Sequence, residues 1–513
     1  MKKYKIHLIL ASFVALFASC EEELEIINPN SLASEAYYTN QEQGIASVDA
    51  IYNALIIDGL YNRMTPALGD SRSDEIRSRS PWPFLSQSAN FTVPATDGAV
   101  GWCYEGYYVL INRANQAIEN VPNIEMDAAL KDRLLGQAYF LRGFAYFNLT
   151  NIFDNVPLVL TVPKSQEDFN PSNANITQEI IYAQVEEDLT KAIASLPANY
   201  NNVSGPDNGQ VGRITKGAAN ALMGKLKLYQ QDYSGAASHF KAVIDSNEYA
   251  LWDNFKGLFS QDPSIEAQNT GRIFWVEFTQ SENSDLNWGG DPNVNWRQFS
   301  AIAPTYSGAD FYDYFPTPWL VSEFEKEKTI DGKLDPRYAA TILSYRPDDG
   351  LTQAYGREYF LDRNLNYIAK YTLANEGGNP FTSGINYHVI RYADVLLMYA
   401  EALANTGDIA TAAGYVQQVR DRANLPDRSA EFAALSLSDF MTQLEHERVT
   451  ELAIEGLRWY DIKRWGYLEN SSKLAELKSH DPEFETYVPG REYQPIVQGE
   501  LDRNPNLVGN SAN

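Results

Sequence analysis

Cysteine is nearly absent: the 513-residue chain has two, Cys20 and Cys103. Two thiols cannot make a disulfide framework or the repeated cysteine pairs of a structural zinc site. Histidine is also scarce, with five, and His446-Glu447 lacks the second histidine of a metalloprotease helix. There is no G-x-S-x-G elbow, no phosphate-binding loop and no dinucleotide fingerprint. Positive charge is in deficit, with 41 basic against 67 acidic residues and a net charge of -26. Nucleic-acid binding is excluded on that ground, because phosphates demand clustered Lys and Arg. Adhesion to anionic lipid through a basic patch is excluded for the same reason. Beyond the first twenty residues no apolar run reaches the roughly 20 residues that span a bilayer. What is present, 44% hydrophobic and 12% aromatic residues, is ample for a large core.

The N-terminus carries an address. Lys2, Lys3 and Lys5 precede an apolar stretch from His7 to Ala18, and small residues stand before Cys20. Residues 1–19 therefore read as an export signal. Phe17-Ala18-Ser19-Cys20 resembles a lipobox, with Phe17 where leucine is commoner. Cys20 is expected to become the acylated first residue of the mature chain, 20–513. Each buried CH₂ of its acyl chains would contribute about 0.8 kcal/mol to membrane anchoring. Loss of the signal removes three lysines, leaving the mature chain near -29. Glu21, Glu22, Glu23 and Glu25 read equally well as a solvated tether or as a surface-export signal. Cys103, within Gly101-Trp102-Cys103-Tyr104, is expected to be a buried thiol.

Most of the periodicity is helical. Ile181, Val185, Leu189, Ile193 and Leu196 recur every three or four residues until Pro197 stops the run. Asn112 to Val121 and Leu130 to Phe153 read as helices too, the second apolar almost all round and so buried. Gly224, Tyr233, Ala236 and Phe240 occupy the spacings of a tetratricopeptide helix pair, with the turn at Gln230-Gln231-Asp232. A fainter copy is Ala400, Leu403, Gly407, Ala412 and Val416, turning at Thr406-Gly407-Asp408. Such pairs cannot bury their faces alone, so they must stack. From about Asp253 to Arg391 the chain changes to long polar segments, with one predicted strand at Ile273–Phe278. Gly69 to Trp102 reads as a second irregular region, and both are candidate binding loops. After Gly466 the chain turns polar and proline-rich, and it is expected to end in asparagine-rich coil.

Three blocks carry a resemblance. The strongest is Glu447-Arg448-x-x-Glu451-Leu452-x-x-Glu455-Gly456-x-Arg458-x-x-Asp461-Ile462-x-Arg464-Trp465-Gly466. It resembles the C-terminal signature of the SusD-like (RagB/SusD) family. Arg391-Tyr392-Ala393-Asp394 through Ala402 resembles the helix before it, and Pro316-Thr317 with Leu320-Val321 and Phe324-Glu325 is a weaker match. In the N-terminal half Asn112-Arg113-Ala114-Asn115 and Asn155-Val156-Pro157-Leu158 also fit. The three signature glutamates lie one helical turn apart and could suggest acid/base or metal chemistry. The interleaved arginines favour an ion-pair packing module instead. Gly456 would permit close approach there, and Trp459, Ile462 and Trp465 suit burial.

The resemblance implies a mostly α fold, with tetratricopeptide-like helix pairs as scaffold and long loops and a few short strands making the binding face. Its parts would run over about 30–250, 253–391 and 391–513. It implies an outer-membrane lipoprotein facing the cell exterior, a binder and not an enzyme, that passes an oligosaccharide or polysaccharide to a TonB-dependent SusC-like transporter. No cofactor or metal is expected. A glycan-cleaving enzyme, a peptide binder and a purely structural scaffold are the alternatives. Asp285-x-Asn287-x-Gly289-Gly290-Asp291 hints at a calcium loop but has Trp296 where the closing glutamate belongs.

Nine tryptophans remain to be sorted. Trp459 and Trp465 belong to the signature, Trp275 and Trp252 are expected in the core, Trp319 is expected to be structural, and Trp102 reads either way. Trp82, between Pro81 and Pro83, and Trp288 and Trp296 lie in polar loop sequence and are the expected ligand contacts. Asn287, Asp291, Asn293, Asn295 and Arg297 would supply hydrogen bonds beside the latter two.

Overall fold

A computed structural model describes residues 37–165, 167–280 and 299–513. Cys20, Asn287, Trp288, Asp291, Asn293, Asn295, Trp296 and Arg297 lie outside the described residues. Residues Asn40–Asn513 make one unit, whose scaffold starts with α1 (Gln41–Ala54), closed by a capping box between Asn40 and Gln43. A short helix, α2 (Met64–Ser71), is wholly buried. β1 (Ile76–Ser78) and α3 (Pro83–Ala89) follow, then α4 (Gly98–Asn120) and α5 (Ala128–Phe153). Asp127 caps α5 by accepting from Leu130 N at 2.8 Å. As its composition demands, α5 is buried on nearly every side. It packs on α6 (Gln178–Ser195). There Arg142 makes a bidentate bond to buried Asp188 at 2.7 and 2.8 Å.

The expected helix pairs are present. α7 (Lys216–Tyr229) and α8 (Tyr233–Asp245) turn at Gln230–Asp232, and Asp232 caps α8 through Gly235 N at 2.9 Å. The later pair is α9 (Tyr392–Asn405) and α10 (Ile409–Arg422), in which Tyr399 meets Tyr415 at 4.8 Å. Helices α5, α6, α7, α8, α9 and α10 pack in that order, each on the next. Stacking thus buries the faces that one pair leaves open. Gly224 shows why small residues are needed: a Cβ there would lie 2.6 Å from the Phe240 ring. Gly224→Ala is expected to destabilise the protein by about 1–3 kcal/mol through overpacking. Denaturant unfolding checks this; an unchanged midpoint would mean the two helices approach less closely than described.

Strands are few and paired in twos. β2 (Arg272–Val276) lies antiparallel to a strand at Tyr387–Arg391, and β1 pairs with a strand at Tyr314–Pro316. Two-stranded ladders serve here to tie loops to helices.

Two expectations need correction. Gly69 to Trp102 is not one irregular region, since α2, β1 and α3 interrupt it and α4 begins at Gly98. Gly98, Gly101 and Gly106 dilute the helical pattern, but Asp97 caps the start by accepting from Ala99 N at 2.9 Å. The polar stretch after Gly466 includes helices at Ser471–His480 and Gln498–Arg503, and the chain ends in turns and coil. The signature glutamates do not share one helix. Their helix, α11 (Leu437–Leu452), stops short of Glu455, because Ile454 and Gly456 take φ of +60° and +70°.

Candidate ligand-binding face

The turn after α11 builds the floor on which the loops rest. Its amides point at carboxylates carried by the end of α2 and the segment following it. Gly456 N donates to Asp70 at 2.7 Å and Ile454 N to Glu75 at 2.9 Å. Gly69 and Gly456 meet backbone to backbone, so that a Cβ on Gly69 would lie 2.5 Å from Gly456 O. Arg458 holds Asp74 bidentately at 2.7 and 2.9 Å, with all these groups buried. Arg77 donates to Asp481 at 3.0 Å and Ser78 N to Glu483 at 3.3 Å. The signature is therefore an ion-pair and packing module, as its interleaved arginines suggested. Its effect is to fix the segment 70–78 and deliver Arg79 and Trp82 to the surface.

Trp82 is half-buried at the start of α3, its backbone N–H bonded to Ser80 Oγ at 3.0 Å. Its ring lies 5.6 Å from Phe84 and 6.2 Å from Trp102, and the Arg63 guanidinium sits 4.7 Å above it. Nearby, the exposed Arg79 is anchored by its backbone N–H to Asp313 O at 2.8 Å. Its guanidinium covers Tyr312 at 4.1 Å. Tyr312, held at φ +51°, lies 4.8 Å from Tyr367 and 6.3 Å from Phe315. Phe311, 46% exposed, meets Phe381 at 5.4 Å. Aromatic surfaces edged by Arg, Ser and Asp groups suit a ligand that has both flat apolar faces and hydroxyls.

The described residues on either side of 281–298 are tied down by hydrogen bonds. On one flank Phe278 N donates to Asn386 Oδ1 at 2.8 Å, and on the other Ser300 N donates to Ser383 O at 2.8 Å. Asn62 reaches the second flank as well, donating to Phe299 O at 2.8 Å. Of the residues expected to contact ligand, the structure places Trp82 alone. Sequence reasoning passed over Arg79, Tyr312, Phe315, Tyr367 and Phe381, having weighed only tryptophans. The dense run Phe311-Tyr312-Asp313-Tyr314-Phe315 was the available signal.

The other tryptophans divide by environment. Trp459 is buried, whereas Trp465 is half-buried and donates to Glu401 at 3.0 Å. Trp319 stacks on His480 at 4.3 Å, in keeping with a structural role. Trp252 and Trp275 are half-buried rather than core, and Trp275 lines an open groove of about 300 Å³ with Tyr52, Asn53, Arg213 and Glu277. Among the described residues β2 has one ladder partner, and the Arg272 guanidinium lies 4.6 Å over the Trp275 ring. Cys103 is fully buried, and burial pushes its thiol up to about 12. Among the described residues, no group of three His, Cys, Asp or Glu side chains is placed to hold a metal. No described helix is long and apolar enough to cross a membrane.

Comparison with known proteins follows the same lines. Residues 270–512 match the SusD family, and residues 24–228 match a family described as starch-binding associating with outer membrane. SusD-like protein P2 of Formosa agariphila is 27% identical, over 100% of this chain and 99% of its own length. A SusD superfamily protein from Bacteroides vulgatus superposes with a TM-score of 0.79 at 27% identity, covering 93% of this chain and 100% of that one. A structure described as a laminarin binding SusD-like protein gives 0.73 at 26%, covering 92% and 99%. Signature, stacked helix pairs and matches along both halves agree: this chain belongs to the SusD-like family.

Proposed function

We propose that the protein is a non-catalytic, outer-membrane lipoprotein, anchored through Cys20, that binds a glycan at the cell surface and delivers it to a SusC-like TonB-dependent transporter. The observation that carries the glycan-binding step is the loop face itself, where Trp82, Tyr312 and Phe315 lie among arginines and hydroxyls. Pyranose rings present CH faces that stack on such rings, while their hydroxyls take the polar edges. The family description and the laminarin-binding neighbour support the same ligand class. Trp288 and Trp296, with Asn287, Asp291, Asn293, Asn295 and Arg297, are proposed to extend this contact.

Trp82 is already half covered, so a sugar would bury about 80 Å² more of it, contributing about 2 kcal/mol. Trp82→Ala is accordingly expected to weaken glycan binding about 30-fold while far-UV circular dichroism stays unchanged. Calorimetry of the mature protein against a glycan panel, including oligosaccharides of laminarin and of starch, reads this out. Unchanged affinity in Trp82→Ala, Trp288→Ala and Trp296→Ala would show that these rings only pack loops. New reducing ends released from any glycan would replace this reading with that of an enzyme.

A further inference from the structure

We propose that the glycan taken by the loop face is anionic, bearing carboxylate or sulfate groups. This rests on the glycan-binding reading above and narrows it.

The observation is a set of arginines that, among the described residues, form no ion pair. Arg79, Arg357 and Arg363 are exposed. Each guanidinium lies over an aromatic ring: Tyr312 at 4.1 Å, Phe360 at 4.3 Å and Tyr345 at 4.3 Å. Among the described residues none of the three has a carboxylate within 4.0 Å. In a chain with 67 acidic residues against 41 basic ones that is the unexpected outcome. Arg346 and Arg428, also near the surface, each hold two carboxylates. Glu358 and Asp362 adjoin Arg357 and Arg363 in sequence, yet they stay out of ion-pair reach.

The rings beneath the three sites lie in one neighbourhood, since Tyr359, beside Tyr345, is within electrostatic range of Tyr312, Tyr355 and Tyr367. Tyr312 contacts Tyr367 at 4.8 Å, Tyr345 contacts Tyr359 at 5.4 Å, and Tyr355 contacts Phe360 at 6.1 Å. Tyr355 OH reaches Ser307 Oγ at 2.8 Å, and Ser307 bridges to Ile368, next to Tyr367. A guanidinium stacked on a ring keeps N–H groups to spare, even where Arg79 donates one to the Tyr312 hydroxyl, and those groups match a carboxylate or sulfate. Stacking also restricts the side chain beforehand, so less freedom is lost on binding. A neutral sugar would use the rings and hydroxyl-seeking groups but would leave this positive charge unanswered. The strong negative charge of the whole molecule, meanwhile, disfavours indiscriminate adhesion of polyanions.

The test is affinity electrophoresis and calorimetry of the mature protein at low and high salt. Polygalacturonate serves as the carboxylate probe, dextran sulfate and carrageenan as sulfate probes, and laminarin and dextran as neutral ones. The expected result is binding of at least one anionic probe that weakens with salt. The combined variant Arg79→Gln, Arg357→Gln, Arg363→Gln should lose at least tenfold in that affinity with its melting temperature preserved. Which probe binds separates carboxylate from sulfate. Binding of neutral probes alone would overturn the anionic assignment and leave glycan binding standing. Equal loss of polyanion affinity in Arg503→Gln, away from these rings, would overturn it as unspecific charge attraction. Binding of no glycan of either class would remove the glycan-binding reading together with this one.

Discussion

Replacing Glu451 with alanine is expected to cost about 3–5 kcal/mol of stability, because it strands several buried guanidinium groups at once. Glu451 is fully buried and accepts from Arg391 at 2.9 Å and from Arg337 at 3.4 Å, with Arg422 bonded to it as well. Burial opposes ionisation of its carboxyl, but Arg422, Arg391 and Arg337 outweigh burial and hold it down to about 2. On either side Glu447 accepts from Arg337 and Arg420, and Glu455 from Lys370 and Arg391. The network joins α11 to the Tyr387–Arg391 strand and to Arg337 in the loop-rich part. Its charges are compensated as a set, so removing the central acid leaves the others paired too sparsely. Urea unfolding of Glu451→Ala, beside a surface control such as Glu187→Ala, measures the effect. A midpoint equal to that of the control would mean the network contributes little.

Stability is also expected to peak near pH 4–5 and to fall towards pH 8, opposite to the trend of most acidic proteins. Burial pushes Asp70 up to about 7, despite bonds from Tyr306 OH and Gly456 N, both at 2.7 Å. Glu75 rises well above the ordinary carboxylate range through burial, with the charge of Asp70 adding to it. Burial and the neighbouring Asp481 raise Glu483. For these groups the folded state keeps protons that the unfolded chain releases near pH 4. Their stabilising contribution is complete below that pH and is lost as pH rises through the folded values. A rise as large as that of Asp70 is worth roughly 4 kcal/mol, or about 4 °C for a chain of this size.

The acid limb has the reverse sign. Burial works against ionisation of Asp74 and Asp461 too, but Arg458 holds the first, and Arg448 and Arg464 the second, at about 2. Their contribution, with that of Glu451, is present above pH 4–5 and lost as pH falls towards 2. Melting temperatures across pH 3–8 test both limbs, and Asp70→Asn should flatten the upper one. A melting temperature that climbs steadily to pH 8 would refute the assignment of Asp70 and Glu75.

How far the sequence carried depended on how local the cause was. Periodicity from Ile181 to Leu196 and from Leu130 to Phe153 found the helices that the structure places at Gln178–Ser195 and Ala128–Phe153, because burial every three or four residues is written into neighbouring positions. Gly224 and Phe240 announced a helix pair for the same reason: their contact spans one short turn. The start of α4 was missed because Asp97 overrides three weak helix formers, a decision that periodicity does not register. Glu455 was misplaced by similar logic. Spacing put it on a helix, whereas the turn at Ile454 and Gly456 swings it onto Arg391 and Lys370.

The sequence by itself determined the family, the helical class, the charge balance that excludes nucleic acid and the arginine-paired character of the signature. These follow from residues close together along the chain. Only the tertiary structure decided which rings share a face. Arg79 and Tyr312 are brought together by the pairing of the strands at Ile76–Ser78 and Tyr314–Pro316. It likewise decided that Arg79, Arg357 and Arg363 go without carboxylates while Arg337 is crowded by three. Charge pairing depends on distances between residues hundreds of positions apart, and those are set by packing rather than by composition.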